Sequence, residues 1–220
     1  MGADIAFFLK GLLIGFAIAV PVGPIGVLCI QRTLLFGARS GLASGTGAAL
    51  ADAFYGAIAA FGLTIVTRFL QDHILLVQGV GGFFLLLLGL KTLLKKPQSK
   101  DEMKAAVTHL HTWKEVMQDF SSTFLLTLTN PATILSFIAI FAAFGLVTGE
   151  EPDYMLASLM VGGVFAGSLL WWCTLSLGVG MLRHMLDRKA LHFLNILSGL
   201  IIGGFGGFVL GDTVFAKLFS

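Results

Sequence analysis

Residues 16–30 read Phe16-Ala17-Ile18-Ala19-Val20-Pro21-Val22-Gly23-Pro24-Ile25-Gly26-Val27-Leu28-Cys29-Ile30, an uncharged stretch with prolines and glycines at its centre. It belongs to an apolar run from Ile5 to Ile30 that only Lys10 interrupts. A hydrocarbon core about 30 Å thick takes roughly 20 helical residues, so this run is long enough to cross a membrane. Proline in mid-span removes a backbone donor, and its ring obstructs the carbonyl four residues earlier. The sequence therefore predicts a membrane helix broken at its middle. Freed carbonyls at that depth are tolerated only where protein covers them or where they line a wet cavity. Pro21, Gly23 and Pro24 are thus candidate substrate-binding positions; a packing kink without a ligand is the simpler alternative.

Composition agrees with a membrane protein. Of the 220 residues 56% are apolar and 12% charged, against about 45 to 50% and about 25% in soluble domains. With a mean hydropathy of +0.92, polar surface is too scarce to cover a globule in water, which excludes a soluble enzyme. The 28 glycines favour helices whose backbones approach closely. A net charge of +2 gives no basic face for nucleic acid. Cys29 and Cys173 both lie in apolar runs and supply neither a disulfide framework nor paired-cysteine metal spacing.

Six stretches reach spanning length: Ile5 to Ile30, Gly41 to Thr67 with Asp52 inside it, Ile74 to Leu94, Phe120 to Gly149, Tyr154 to Leu182, and Phe193 to Gly211. A cleaved leader ending at Ala17-Ile18-Ala19 is disfavoured, because Met1-Gly2-Ala3-Asp4 is not basic and the apolar run continues. Arg32, Arg39, Lys91, Lys95, Lys96, Lys100, Lys104, Lys114, Arg183, Arg188 and Lys189 fall on one side, against Lys10, Arg68 and Lys217 on the other. The positive-inside rule then places the basic loops in the cytoplasm and both termini outside. Between the third and fourth spans, Met103, Val107, Leu110, Trp113, Met117 and Phe120 recur at helical steps. That pattern predicts an amphipathic connector on the cytoplasmic membrane surface over 97–119.

The punctuation of the two halves is related. Gly45-Thr46-Gly47 leads to Asp52 and Tyr55, and Gly162-Gly163 leads to Ser168 and Trp171 at matching offsets. Gly82 to Gly89 and Gly199 to Gly206 are both seven-residue steps, while Asn130-Pro131 breaks the fourth span as Pro21 to Pro24 break the first. The fold class expected is an all-α polytopic membrane protein of six transmembrane helices, built as two three-helix repeats over 1–96 and 120–220. An odd number of spans per repeat makes the repeats inverted, with broken helices 1 and 4 meeting at a midplane site.

Asp52 is the acidic group well inside a span. Such residues usually face an interior cavity, where they exchange a proton during transport or pair with a substrate ammonium. A structural hydrogen bond to Tyr55 or to a backbone carbonyl is the alternative. Tyr55 lies on nearly the same helix face and offers a hydroxyl or a ring to a cation. Asn130 adds an amide donor and acceptor beside Pro131. Thr133, Ser168, Trp171 and its neighbour Trp172 are further candidate lining residues, though large aromatics are also ordinary bundle filler. Gln31 and Arg32 close the first span on the cytoplasmic side, where they could gate the path or attract an anionic carboxylate; Arg32 is read more simply as marking the membrane interface. His109 and His111 diverge on a helix, so no metal site is expected there, and no cofactor is expected.

Pro21-Val22-Gly23-Pro24-Ile25-Gly26-Val27, then Gln31-Arg32-Thr33-Leu34, then the glycines at 37, 41, 45 and 47 leading to Asp52 and Tyr55, together with Asn130-Pro131, resemble the LysE/RhtB family of bacterial amino-acid exporters. The resemblance covers nearly the whole chain. It implies an inner-membrane efflux carrier for amino acids or close derivatives, driven by the proton gradient and forming a homodimer. One departure concerns the site: many members carry a lysine just after the Asn-Pro pair, whereas Ala132-Thr133-Ile134 follow here. The reading is a secondary transporter, not an enzyme, with Asp52 coupling protons to export. Rival readings are a membrane thiol electron carrier using Cys29 and Cys173, and an exporter of metal or another small solute within the same superfamily.

Overall fold

The computed structural model describes residues 2–20, 23–61, 73–94, 112–130, 133–134, 136–137, 154–182 and 188–219. Seven helices make up nearly all of them: α1 Gly2–Ala19, α2 Pro24–Phe36, α3 Ala38–Ala60, α4 Ile74–Leu93, α5 Trp113–Leu128, α6 Tyr154–Leu182 and α7 Arg188–Phe219. Two stretches, Tyr154–Leu182 and Ile196–Phe215, are each long and apolar enough to cross a membrane. The pair Asp4–Ala19 and Pro24–Phe36, bent by 80°, qualifies as one broken span.

Local chemistry sets these boundaries. α1 stops at Ala19, ahead of Pro21, as proline's steric effect on its neighbours requires. α2 restarts with extended Gly23 as its N-cap and Pro24 at the first helical position, where a missing N–H costs nothing. Gly37 alone joins α2 to α3. Its φ of 95° and ψ of 173° suit only glycine, and its N–H donates to the Thr33 carbonyl at 2.9 Å.

α5 begins in a capping box. Thr112 Oγ1 accepts from the Glu115 N–H at 3.4 Å, and Glu115 Oε2 accepts from the Thr112 N–H at 2.8 Å. The helix therefore starts inside the stretch expected to be a surface connector, with Trp113 and Met117 exposed and Asp119 buried; the remainder, 97–111, lies outside the described residues.

Glycine governs how the helices meet. The backbone of Gly163 on α6 lies against the Phe8 carbonyl and Leu12 amide of α1, and Gly167 against the Leu12 carbonyl and Phe16 amide, so these helices run parallel. Gly47 on α3 lies in the same way against the Phe120 carbonyl and Phe124 amide of α5, again in parallel. By contrast α4 and α7 are antiparallel, Gly82 facing Gly206 and Gly89 facing Gly199. α3 and α6 are antiparallel too, with Gly45 against Trp172 and Gly56 against Val164. Exchanging α1 with α5, α3 with α6 and α4 with α7 leaves this set of pairings unchanged. A side chain at Gly47, Gly89, Gly163, Gly167 or Gly206 would collide with the backbone of the facing helix, which gives the glycine spacing its physical reason. The main apolar core includes Leu28, Cys29, Ala48, Leu85, Trp172 and Ile202, contributed by α2, α3, α4, α6 and α7.

Candidate functional site

The two chain breaks are built alike. At the first, the Gly23 carbonyl accepts from the Val27 N–H at 3.0 Å, and Pro24 follows Gly23. At the second, the Asn130 carbonyl accepts from the Ile134 N–H at 3.2 Å, and proline again follows in sequence. Each restart thus hangs from the carbonyl of the residue before a proline. The Asn130 amide also donates to Thr133 Oγ1 at 3.0 Å, which fixes the side chain at the start of the new turn.

A cavity of about 210 Å³ lies where these breaks meet α3 and α6; Gly23, Pro24, Asp52, Asn130, Thr133 and Trp172 line it. Nothing stands within 4 Å of a side chain built at Gly23, so its backbone borders open space. Ile25 and Gly26 line the cavity too, at the first turn of α2, whose N-terminus no side chain caps. Amide hydrogens of a first turn have no intrahelical acceptor and point along the axis, giving the cavity a wall of partial positive charge. Asp52 faces it as the carboxylate among the lining residues.

Asp52 is 3% exposed and is held from the other half of the chain. Ser168 Oγ on α6 donates to Asp52 Oδ2 at 2.6 Å, and Trp172 Nε1 donates to Ser168 Oγ at 3.1 Å. The carboxylate, the hydroxyl and the indole therefore form one chain of donors ending on Asp52. Such a chain satisfies an acidic group that would otherwise be costly in an apolar bundle.

Sequence-selected residues separate into two groups here. Gly23, Pro24, Asp52, Asn130 and Thr133 come together at the cavity, and Ser168 supports Asp52 from behind. Trp171 turns toward α1, its ring meeting Phe16 edge-on at 5.7 Å, and its neighbour Trp172 takes the cavity wall. Tyr55 donates its hydroxyl to the Leu128 carbonyl and packs on Phe137, so it braces the end of α5. Pro21 and Pro131 lie outside the described residues. Cys29 is fully buried in the core, and Cys173 is partly buried.

A second polar cluster surrounds Arg32, whose partners the sequence did not identify. Arg32 Nε pairs with Asp119 Oδ1 at 3.2 Å, with 11% and 12% of the two side chains exposed. Arg32 Nη1 donates to Ser44 Oγ at 2.9 Å, to the Asp119 carbonyl at 2.9 Å and to Thr123 Oγ1 at 2.7 Å; Nη2 donates to Ser122 Oγ at 2.8 Å. Ser40 Oγ donates to Asp119 Oδ2. Arg32 therefore does more than mark an interface: it ties α2 to α3 and α5. The signal for it was a polar stripe at four-residue steps, Ser40 and Ser44 on α3 with Asp119, Thr123 and Thr127 on α5.

Comparison with known proteins gives the family. The LysE type translocator family matches residues 16–213. A Bacillus subtilis (strain 168) protein named "Putative amino acid efflux protein YcgF" is 26% identical over 203 residues, covering 90% of this chain and 92% of that protein. "Uncharacterized membrane protein YahN" of Escherichia coli (strain K12) is 31% identical over 148 residues, covering 67% of this chain and 63% of that protein. No solved structure gives a significant match. With apolar helices of spanning length and a family match over most of its residues, the chain belongs to the LysE type translocators and is a membrane transporter.

Proposed function

We propose that the protein exports amino acids or close derivatives across the bacterial inner membrane by proton antiport, through six spans arranged as two inverted three-helix repeats. The observation that carries this reading is a cavity that both helix breaks and the buried Asp52 line together. An α-amino acid carries a carboxylate and an ammonium on one carbon. The uncapped first turn of α2 is suited to the carboxylate, and Asp52 and the side-chain amide oxygen of Asn130 are suited to the ammonium.

The inverted arrangement is supported by the helix pairings, which are unchanged when the halves are exchanged, and by the antiparallel α3 with α6 and α4 with α7. Substrate and proton then compete for one carboxylate: a proton arriving from outside releases the ammonium, and loss of that proton to the cytoplasm readies the site for another substrate. Rocking of one repeat against the other carries the cavity between the two sides. On α7, Gly204, Gly207 and Gly211 leave an open small-residue stripe, which supports homodimer formation along that helix. The family resemblance to amino-acid exporters and the name of the Bacillus subtilis relative support the substrate class.

The test is efflux of a panel of labelled amino acids from preloaded proteoliposomes, with and without an imposed pH gradient. Gradient-stimulated efflux of one or more of them is expected. No flux across a broad panel, from protein shown to be inserted, would overturn the reading.

A further inference from the structure

We propose that the Arg32–Asp119 cluster is the gate that closes one end of the transport cavity, on the side of the bundle where Gly37 turns α2 into α3. This rests on the reading of the cavity as the transport site. Three helices place the cluster relative to the cavity, and they agree. On α2, Arg32 follows cavity-lining Gly26 by six residues, about 9 Å along the axis; on α5, Thr123 precedes cavity-lining Thr127 by four, about 6 Å; on α3, Ser44 precedes Asp52 by eight, about 12 Å. α2 runs away from the cavity toward Gly37, while α3 and α5 run toward the cavity, so all three offsets point to the same end. The cluster therefore stands across the space between α2, α3 and α5 immediately beyond the cavity floor.

Its chemistry suits a contact that must both hold and release. Closed, the guanidinium and carboxylate satisfy each other and four hydroxyls while nearly excluded from solvent. Opened to water, every one of those groups is solvated, so the surfaces that part at the cluster itself are polar. The corresponding parallel contact in the other half, α1 with α6, is different: Gly11 lies on the Met160 carbonyl and Gly15 on the Val164 carbonyl, a dry seam of glycine against backbone. Helix pairs that match in direction and glycine contacts thus differ in polarity, and the polar one carries the ion pair.

Thr127 reports on the gate because it lies on the cavity side of it. In a background of Cys29→Ala and Cys173→Ala, Thr127→Cys is exposed to a membrane-impermeant methanethiosulfonate reagent from each face of oriented vesicles. A separate Arg39→Cys variant identifies the face that bears the Gly37 turn, since Arg39 is exposed there. Asp119→Asn and Arg32→Lys are expected to raise the labelling rate of Thr127→Cys from that face by about tenfold or more. An unchanged rate in folded protein, or a rise only from the opposite face, overturns the gate. Should both charge variants lose their monodisperse chromatographic profile, Ser40→Ala removes one hydrogen bond and no charge, and its labelling is judged by the same criterion. Labelling does not depend on flux, so a failure of the amino-acid panel refutes the proposed substrate and coupling without altering this result.

Discussion

Ser168 Oγ donates to Asp52 Oδ2 at 2.6 Å, and the two residues stand at equal offsets in the sequence, five residues after Gly163 and Gly47 respectively. In the proposed inverted repeat these two positions correspond, and groups that correspond under a twofold relation touch only close to its axis. In the proposed cycle, a carboxylate at that position stays within reach of both sides while the halves exchange conformations. This is a structural reason for a transporter to place its coupling acid there.

Transposing the pair tests the idea. Asp52→Ser alone should abolish gradient-driven efflux, and Asp52→Ser with Ser168→Asp should restore a substantial part of it, because the bond is rebuilt in reverse at the axis. Efflux from proteoliposomes reads both variants. A double variant as inactive as the single one, though folded, would argue against an axial role.

Ser168→Ala removes the hydroxyl that serves both Asp52 and Trp172. Two buried polar groups lose a partner, at a cost of about 1–3 kcal/mol. Thermal unfolding in detergent should fall, and Trp172 emission should shift as its indole N–H loses its acceptor.

Glycines that bear carbonyls on their backbones should tolerate no side chain. Gly47→Ala on the Phe120 carbonyl and Gly163→Ala on the Phe8 carbonyl should each destabilise the protein by about 1–3 kcal/mol through overpacking. Gly162→Ala, with nothing within 4 Å, serves as the control and should leave the melting temperature unchanged.

Tyr55→Phe separates bracing from binding. Loss of the hydroxyl bond to the Leu128 carbonyl should cost about 0.5–1.5 kcal/mol of stability. Apparent substrate affinity should change far less than in Asn130→Ala, whose amide borders the cavity. Concentration dependence of efflux distinguishes the two.

Both breaks were legible because proline acts locally: it deletes a donor whatever surrounds it, so Pro24 after Gly23 and Pro131 after Asn130 announce a restart. Asp52 was legible because a charge within an apolar run is itself unusual. Trp172 was not separated from Trp171, since adjacent helical residues point about 100° apart and only the packing of α6 on α1 and α3 sets the phase. The partners of Arg32 were missed for a related reason. Charges near the ends of apolar runs are ordinarily interfacial, and only tertiary contact reveals that Arg32 and Asp119 face each other between α2 and α5. Thr112-Trp113-Lys114-Glu115, a capping box legible in sequence, would have moved the start of α5 to include Asp119.

The most direct measurement compares wild type with Asp52→Asn in two modes, efflux driven by an imposed pH gradient and exchange of labelled for unlabelled amino acid without one. The account predicts that the variant loses gradient stimulation while some exchange persists, because the cavity remains and the proton site does not. Full gradient-driven efflux by Asp52→Asn would contradict the assignment of Asp52 as the coupling group.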